Sequence, residues 1–385
     1  EDGNMKKIVI IGANSFQNPL ILKAKEMGYE THVFAWKDGS IGERTADYFY
    51  PISIVEKEAI LEECRRIQPD AVATIASDLA NITVQYLAEQ LGLPHNSDNC
   101  IYISTNKFAM REAFAKHGVP TPGFVSVCEG DDYAAAVADM QFPMIVKPTD
   151  RSGSRGIMRV ESFEEIAPAV EEAVRNSFEK KAIIEEYIEG NEYSCECISY
   201  QGRHHVLAVT KKYTTGYPHF IETGHMEPPE LPEIEMNRVK EFIPKALTAL
   251  EIENGASHSE FKLDADGNVR IIEIGSRMGG DCIGSHLVYL SSGYDFVRMV
   301  IETALGQEPE LKPAHEPMCA GIRFVFTKKD LDVLEEIKSK SPELLQMGSE
   351  MEPVGEHQVV DSGSRFGYYI LAGKNQAEIK DWLER

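Results

Sequence analysis

Two glutamates flank a predicted β-hairpin and are spaced so that they could hold a cation between them. Glu260 and Glu273 lie on either side of Asp266-Gly267, a dipeptide that favours a two-residue type I′ turn. Symmetric pairing about that turn places the two carboxylates opposite each other, where like charges repel. With Arg277 four residues further on, the pair suits Mg²⁺ and a phosphorylated ligand. The alternative is a solvated hairpin carrying two chance glutamates.

A second candidate is an apolar strand that ends in a lysine and leads into a Gly/Ser loop. Residues 142–148 read Phe-Pro-Met-Ile-Val-Lys-Pro, and Lys147 is the point charge that a phosphate requires. Backbone N–H groups, hydroxyls and a guanidinium group in the loop could bind the anion. The loop residues concerned are Ser152, Gly153, Ser154, Arg155 and Gly156. The loop lacks the Walker A spacing, and an ordinary polar hairpin tip is the alternative.

A third candidate is a strand that breaks at a glycine. Residues 182–190 read Ala-Ile-Ile-Glu-Glu-Tyr-Ile-Glu-Gly, and Glu192 follows. The end of such a strand can present backbone groups to a nucleobase, while the later carboxylate accepts hydrogen bonds from ribose hydroxyls. An acidic edge strand is the alternative.

Composition limits the classes of partner. The chain has 385 residues, 43% of them hydrophobic, and a formal net charge of -23. That charge argues against a general binder of nucleic acid or anionic membranes. The seven cysteines include no C-x-x-C pair, which fits free thiols in a reducing cytosol. No apolar run reaches membrane-spanning length and no secretory leader is evident, so we expect a cytoplasmic protein.

Strand and helix patterns alternate in the first hundred residues. Strands are predicted over 6–11, 31–35 and 70–75, with helices between them, and this alternation predicts an open parallel sheet. The first loop, residues 12–18, lacks G-x-G-x-x-G, so a nicotinamide dinucleotide site is not expected there. The pattern is mixed after residue 106 and includes a long polar loop over 213–232. The expected fold class is α/β with α+β parts.

Taken in order along the chain, these elements resemble the ATP-grasp superfamily. They are Lys107 on a helix, Lys147 before its loop, the segment from Glu185 to Glu192, and the glutamate pair with Arg277. The resemblance implies an N-terminal open parallel α/β domain, then an ATP-grasp fold, then an α+β closing segment. The implied division is 1–105 (the α/β domain), 106–190 (a subdomain with a phosphate flap), 191–310 (the core with the metal site) and 311–385 (the closing subdomain).

The resemblance also implies roles for individual residues. Lys107 and Lys147 would contact the phosphates of ATP, and residues 152–156 would cover the γ-phosphate. Glu185, Glu186, Tyr187 and Ile188 would hold adenine, and Glu192 the ribose. Glu260 and Glu273 would bind one or two Mg²⁺ ions, with Mn²⁺ as a substitute. Arg277, Glu273 and Lys147 are the expected catalytic residues.

One position departs from the pattern of the superfamily. Many members have Asn two residues after the second glutamate, whereas this chain has Gly275, which puts the second metal ion in doubt. The run Glu-Ile-Gly-Ser-Arg-Met-Gly-Gly at 273–280 looks most like the branch of amino-acid ligases. That likeness implies an ATP-dependent carboxylate–amine ligase that works through an acyl phosphate, and a homodimer. The alternatives are a bicarbonate-activating or purine-biosynthetic enzyme, and a nucleotide-binding regulator without turnover.

Residues on the substrate side are the least determined by the sequence. Asp281 could pair with an amino group, or it could stabilise the dipole of the helix predicted after it. Glu222 and His225 lie in the long polar loop and could cover the substrate or simply be solvated. His258 shares the strand face of Glu260 and could line the pocket or be a satisfied histidine. The expected substrates are a small-molecule carboxylate and an amine.

Overall fold

The computed structural model describes residues 5–151 and 155–385. Its strands are β1 (Lys7–Ile11), β2 (Glu30–Phe34), β3 (Tyr48–Tyr50), β4 (Ala71–Ala73), β5 (Phe124–Val127), β6 (Met144–Pro148), β7 (Met158–Val160), β8 (Ala182–Glu186), β9 (Glu192–Tyr200), β10 (Arg203–Thr214), β11 (Glu222–Glu227), β12 (Gly255–Leu263), β13 (Val269–Gly275), β14 (Cys319–Phe324), β15 (Leu345–Gly348) and β16 (Tyr368–Gly373).

The helices connect these strands and cover the sheets. They are α1 (Asn18–Glu26), α2 (Gly42–Thr45), α3 (Lys57–Ile67), α4 (Asp78–Gln90), α5 (Asp98–Thr105), α6 (Lys107–Lys116), α7 (Tyr133–Ala136), α8 (Ile166–Asn176), α9 (Glu233–Ala249), α10 (Val288–Ser292), α11 (Phe296–Ala304), α12 (Lys328–Lys340) and α13 (Gln376–Glu384). Short 3₁₀ turns lie at Phe163–Glu165, Pro342–Leu344 and Ser362–Ser364, and a π turn lies at Ile283–Leu287.

The N-terminal domain is the open parallel sheet that the sequence predicts. Its strand order is β3-β2-β1-β4, and all the pairs are parallel. Strand β1 lies inside the sheet, which explains why its residues form an almost continuous apolar run. The carboxyl ends of β1 and β4 lead into the starts of α1 and α4, and both connections reach the large cleft described below.

A small antiparallel sheet follows, with the strand order β5-β8-β6-β7. Helix α8 packs on one face through small and branched residues spaced three and four apart, which is the spacing of one helix face. Those residues are Ile166, Ala169, Val170, Ala173 and Val174. Strand β6 delivers Lys147 to its end, and β8 carries Glu185 beside it.

The largest sheet of the described residues is antiparallel, with the order β13-β12-β9-β10-β11-β14-β16-β15. It contains strands from both of the predicted segments 191–310 and 311–385, so the closing segment extends the sheet of the core. Helices α9 and α11 cover parts of the sheet. The expected α/β class with α+β parts is confirmed.

One prediction about an element is wrong. The supposed loop over 213–232 contains β11, which pairs with β10 on one side and with β14 on the other. Its sequence, Glu-Thr-Gly-His-Met-Glu, lacks the apolar alternation of a half-buried strand. The polar side chains are tolerated because neighbours satisfy them; Glu227, for example, accepts hydrogen bonds from Thr210 and Ser291.

Helices in the described ranges are all too short or too polar to cross a bilayer.

Candidate active site

A cleft of about 470 Å³ opens between the three sheets. It collects residues from distant parts of the sequence, because the ends of β6, β8, β10 and β12 and the loops after β1 and β4 all reach it. The predicted residues that line it are Lys107, Lys147, Arg155, Glu185, Glu186, Tyr187, Ile188, Glu192, Glu222, His225, His258, Glu260, Glu273, Arg277 and Asp281.

The remaining predicted residues belong to the loop after β6. Ser152, Gly153 and Ser154 lie outside the described residues, so their predicted role stays a prediction. Gly156 has a φ of 68°, a backbone conformation that glycine adopts readily. Arg155, next to it, lines the cleft.

The glutamate pair lies as predicted. Strands β12 and β13 form an antiparallel hairpin in which Glu260 pairs with Glu273 and His258 pairs with Gly275. The two carboxylates belong to the same wall of the cleft.

The route to that register differs from the prediction. Only Gly267 of the presumed turn dipeptide has a positive φ, of 76°, so the two-residue type I′ turn is wrong. A longer loop is closed by a hydrogen bond from the Asp264 N–H to the Asn268 carbonyl, 3.0 Å long. This loop shifts the first pairs by one residue, to Leu263 with Val269. An irregularity beside Glu260 shifts the register back, and the two displacements cancel.

Each of these glutamates has a lysine partner. Glu273 accepts a hydrogen bond from Lys107 Nζ over 3.1 Å, and Glu260 accepts one from Lys212 Nζ over 3.0 Å. Burial opposes ionisation of Glu260, but Lys212 and His258 outweigh it and hold its pKa well below the usual range. Each carboxylate of this wall is therefore paired with a lysine.

These residues fit a magnesium ion that arrives with a phosphorylated ligand. Glu260 and Glu273 supply hard carboxylate oxygens, and Mg²⁺ commonly takes one or two carboxylates plus phosphate and water oxygens. Within residues 5–151 and 155–385, no group of three or more His, Cys, Asp and Glu side chains forms a metal cage. The two carboxylates would supply part of an octahedral coordination sphere, and phosphate and water oxygens could complete it.

Lys147 and Glu185 form a buried ion cluster with Arg111. Lys147 Nζ lies 2.5 Å from Glu185, and Arg111 Nε donates to Glu185 over 2.8 Å. Glu185 is 3% exposed. Burial favours its neutral form, yet the two cations lower its pKa to about 2. The Glu185 carboxylate is therefore bound by protein cations and holds Lys147 in position. Any contact of Glu185 with a nucleotide would have to come from its backbone.

The segment from Glu185 to Glu192, called the hinge below, forms one end of the cleft. Tyr187 lies between two cations, with Lys262 Nζ 4.0 Å and Arg159 Cζ 4.4 Å from its ring centre. Lys262 also donates to the Ile188 carbonyl over 2.8 Å. Glu192 begins β9 and pairs with Lys262 of β12. The hinge is thus held by cation–π contacts, and Lys262 is a lining residue that the sequence analysis did not single out.

Asp281 lies at the centre of a second ion cluster. Arg365 Nη2 contacts Asp281 Oδ1 over 2.6 Å, and His225 Nε2 lies 2.9 Å from Oδ2. Burial opposes ionisation of Asp281, but Arg365 and His225 hold its pKa far below the usual range. Burial raises the pKa of the nearby Glu222 carboxyl. Asp281 is thus paired with two protein side chains, and both roles suggested by the sequence stay predictions.

His258 is the last link of a buried polar network. Its ring Nδ1 contacts Glu196, which is fully buried. Thr210 Oγ1 lies 2.7 Å from Glu196 and 2.6 Å from Glu227. Burial lowers the pKa of His258, but Glu196 and Glu260 outweigh it and raise that pKa to about 9, so the imidazole is cationic near neutral pH. His258 therefore has both of the features expected from the sequence. It lines the cleft, and its ring contacts carboxylates.

The sequence could not assign the lining residues Lys212 and Arg365, or Asp78, which contacts the lining residue Arg277. Lys212 and Arg365 were visible only as a charged strand end and as part of the C-terminal segment, respectively. Asp78 begins α4, and its Oδ1 lies 3.0 Å from Arg277 Nε. Each of these partners is distant in sequence from the residue it contacts, so no local spacing could reveal the pair.

Residues 140–285 match the model of the ATP-grasp domain family. Over 247 residues the chain is 26% identical to a D-alanine–D-alanine ligase of Ralstonia nicotianae, covering 61% of this chain and 73% of the relative. Other D-alanine–D-alanine ligases are matched over as little as 35% of their length. An alanine–anticapsin ligase of Bacillus subtilis is 27% identical over 278 residues, covering 63% of this chain and 58% of the relative.

The L-amino acid ligase from Bacillus licheniformis has a similar fold. The two structures agree with a TM-score of 0.80 at 23% sequence identity, covering 98% of this chain and 96% of that chain. That likeness extends over the parallel sheet, the small antiparallel sheet and the large one.

Proposed function

We propose that this chain, whose residues 140–285 match the ATP-grasp domain family, is an ADP-forming carboxylate–amine ligase acting on amino acids. One observation carries this proposal. A single cleft brings together the facing carboxylates Glu260 and Glu273, the cations Lys107 and Lys147, and Arg277. A site that only bound a nucleotide would have no need for an arginine beside the paired carboxylates.

In the first step, an oxygen of the substrate carboxylate attacks the γ-phosphorus of ATP, and the bond from that phosphorus to the ADP oxygen breaks. The products are an acyl phosphate and ADP. Such a transfer needs in-line positioning and charge neutralisation. Lys107 and Lys147 are placed to neutralise the phosphates, provided that they exchange their present carboxylate partners, Glu273 and Glu185, for phosphate oxygens.

In the second step, the amine nitrogen attacks the carbonyl carbon and loses a proton, and the bond from that carbon to phosphate oxygen breaks. Negative charge develops on the carbonyl oxygen during the attack. Arg277 is the cation proposed to stabilise it. Magnesium held by Glu260 and Glu273 would supply further neutralisation of the phosphate charge.

The substrate side of the cleft is rich in carboxylates. Asp281 and Glu222 lie there with His225. We assign the two carboxylates to the ammonium group of an amino acid, provided that they exchange their present partners Arg365 and Lys212 for it. His258 would border the same space. Arg365 and Lys212 balance these carboxylates, and the likeness to D-alanine–D-alanine and alanine–anticapsin ligases supports an amino-acid substrate better than bicarbonate.

The test is ADP release from ATP and Mg²⁺ with single amino acids, with amino-acid pairs and with bicarbonate, followed by mass spectrometry of the products. The proposal predicts ADP release that needs an amine acceptor and a product whose mass is the sum of both substrates minus water. Release with bicarbonate alone would favour the bicarbonate-activating alternative. Tight ATP binding without release under any condition would favour a regulator.

The proposal also covers the assembly, the location and the domain division of the protein. The family resemblance supports a homodimer in the cytoplasm that acts on small molecules, with the four-part division at residues 105, 190 and 310. Light scattering of the purified protein tests the assembly: a mass near twice the 43.0 kDa of the chain supports the dimer, and a mass near that of one chain contradicts it.

A further inference from the structure

We propose that Asp78 and Gly275 are positioning residues for Arg277, and that the N-terminal domain thereby orients the arginine of the amide-forming step. This inference rests on the proposed ligase function for its kinetic consequence. Its geometric basis is a set of contacts between two short segments, 76–81 at the start of α4 and 275–278 at the end of β13.

The two segments are joined at three consecutive residues. Ala76 N–H donates to the Met278 carbonyl over 3.0 Å. The Asn81 side-chain amide donates to the Ser276 carbonyl over 3.1 Å and lies 3.2 Å from its hydroxyl. Between these backbone contacts lies Arg277, whose neighbours on both sides are therefore fixed by the N-terminal domain.

Asp78 holds the side chain of Arg277. Arg277 Nε lies 3.0 Å from Asp78 Oδ1, and both side chains are largely buried, with 12% and 21% exposure respectively. Asp78 is the first residue of α4, where the helix dipole favours a negative charge. The carboxylate is therefore stabilised as an anion even without its arginine partner.

The guanidinium group keeps a free hydrogen-bonding capacity. Nε is close to Asp78 but is not aligned for a hydrogen bond, and Nη1 is buried without a hydrogen-bond partner in the described part of the chain. An unpaired buried donor is costly. Arg277 also lines the cleft and keeps 12% of its side chain exposed, so the exposed part of the guanidinium can meet an oxyanion or phosphate oxygen of a ligand.

Gly275 provides the space in which the guanidinium lies. A Cβ atom added at Gly275 would be 2.8 Å from Arg277 Cζ and 2.9 Å from Nη1. Those atoms are the far end of a flexible side chain, so the guanidinium would move and the strand would not. The glycine at position 275 removes a possible metal ligand, and it also leaves the space that allows the Arg277 side chain to reach Asp78.

The kinetic test compares Asp78→Asn with the wild type. We expect kcat for amide formation to fall roughly 10- to 100-fold, since a displacement of about 1 Å in a catalytic group has effects of that size. The KM for ATP should change less than about twofold, because Asp78 does not touch the lysines or the hinge. The matched control is Asp98→Asn, which removes the carboxylate at the first residue of α5, also behind a capping serine but exposed.

A double-mutant cycle separates positioning from general stability. In an Arg277→Lys background, Asp78→Asn should cost less than about twofold, because the group it positions is gone. An equal loss in both backgrounds would overturn the inference. Gly275→Ala should reproduce the loss in kcat, with Gly348→Ala as control, since a Cβ at Gly348 meets nothing closer than 3.9 Å. Equal activity of these two glycine variants would also overturn it.

A second readout needs no turnover. A crystal structure of the ADP-bound Asp78→Asn protein should show the Arg277 guanidinium displaced by about 1 Å or more from its wild-type position, whereas Asp98→Asn should leave it unmoved. A wild type without ligase activity refutes the proposed function and leaves this measurement intact. An unmoved guanidinium in Asp78→Asn overturns the positioning role, whatever the activity of the wild type.

Discussion

Glu273 is the residue whose charge the proposed chemistry needs most directly. Glu273→Gln keeps the shape of the side chain but removes the negative charge that faces Glu260 and Lys107. We expect kcat to fall roughly 100-fold or more, the size of effect seen when one stabilising group of a transition state is lost. The free energy of unfolding should change by less than about 1 kcal/mol, because the side chain is partly exposed. Steady-state kinetics and urea unfolding measure both quantities.

Asp266→Asn is the control for that variant. Asp266 belongs to the same hairpin but is exposed in its loop, away from the cleft. Normal turnover of Glu273→Gln, or an equal loss in Asp266→Asn, would remove the glutamate pair from the mechanism.

Glu185 gives a prediction about acid stability. Its pKa is about 2 in the folded chain and near the ordinary 4.3 when unfolded. A lowered folded pKa contributes stability above the unfolded pKa, and this is lost as the pH falls from about 4.5 towards 2. The contribution is on the order of 3 kcal/mol. Urea unfolding between pH 6 and pH 3 should show a flatter dependence for Glu185→Gln than for the wild type, and parallel curves would contradict this.

Some contacts of individual side chains could be predicted from the sequence and others could not. The facing glutamates were predictable because both lie on one hairpin, although their pairing also depends on an irregularity beside Glu260 that the sequence did not show. The partners Lys212, Arg365 and Asp78 were not, because each meets its carboxylate or guanidinium only after separate elements pack together. The residue types indicated which side chains could bind phosphate and metal ions. Which side chains pair with each other depends on how the elements pack.

At the scale of elements, the loop of the β12–β13 hairpin gives the sharpest prediction. Gly267 has a φ of 76°, which costs a side chain with a Cβ about 1 kcal/mol, although Asn tolerates it better. Gly267→Ala should lower the free energy of unfolding by about 1 kcal/mol, and Gly267→Asn by clearly less. Urea unfolding measures the difference. Equal losses would mean that the nearby Glu235 side chain, not the backbone, sets the cost.

Elements differ in how well the sequence predicts them. Strands β1 and β6 are apolar except for one lysine each and were predictable from that apolar run. Strand β11 was missed because its polar side chains resemble a loop, and only the groups around them, such as Thr210 and Asp281, make their burial acceptable. The hairpin shows the opposite case: a wrong turn type led to the right pairing because two register shifts cancel.

At the scale of the whole molecule, three sheets contribute to one cleft, and the chain's net charge of -23 is offset there by local cations. The proposed nucleotide binding therefore depends on local cations such as Lys107 and Lys147 inside an acidic protein, which the total charge could not predict. The order of the motifs along the chain did predict the overall architecture, because that order is far more specific than any one motif. Contacts between the N-terminal domain and the core, such as those of Asp78, required the folded structure.

The central claim is that a carboxylate is activated as an acyl phosphate, and oxygen-18 tests it most directly. Once a productive pair of substrates is known, the acyl substrate is supplied with both carboxylate oxygens labelled, and the released phosphate is analysed by mass spectrometry. The account predicts ADP and phosphate carrying one labelled oxygen, because the attacking oxygen leaves with the phosphorus. Unlabelled phosphate, or AMP and pyrophosphate as products, would contradict it.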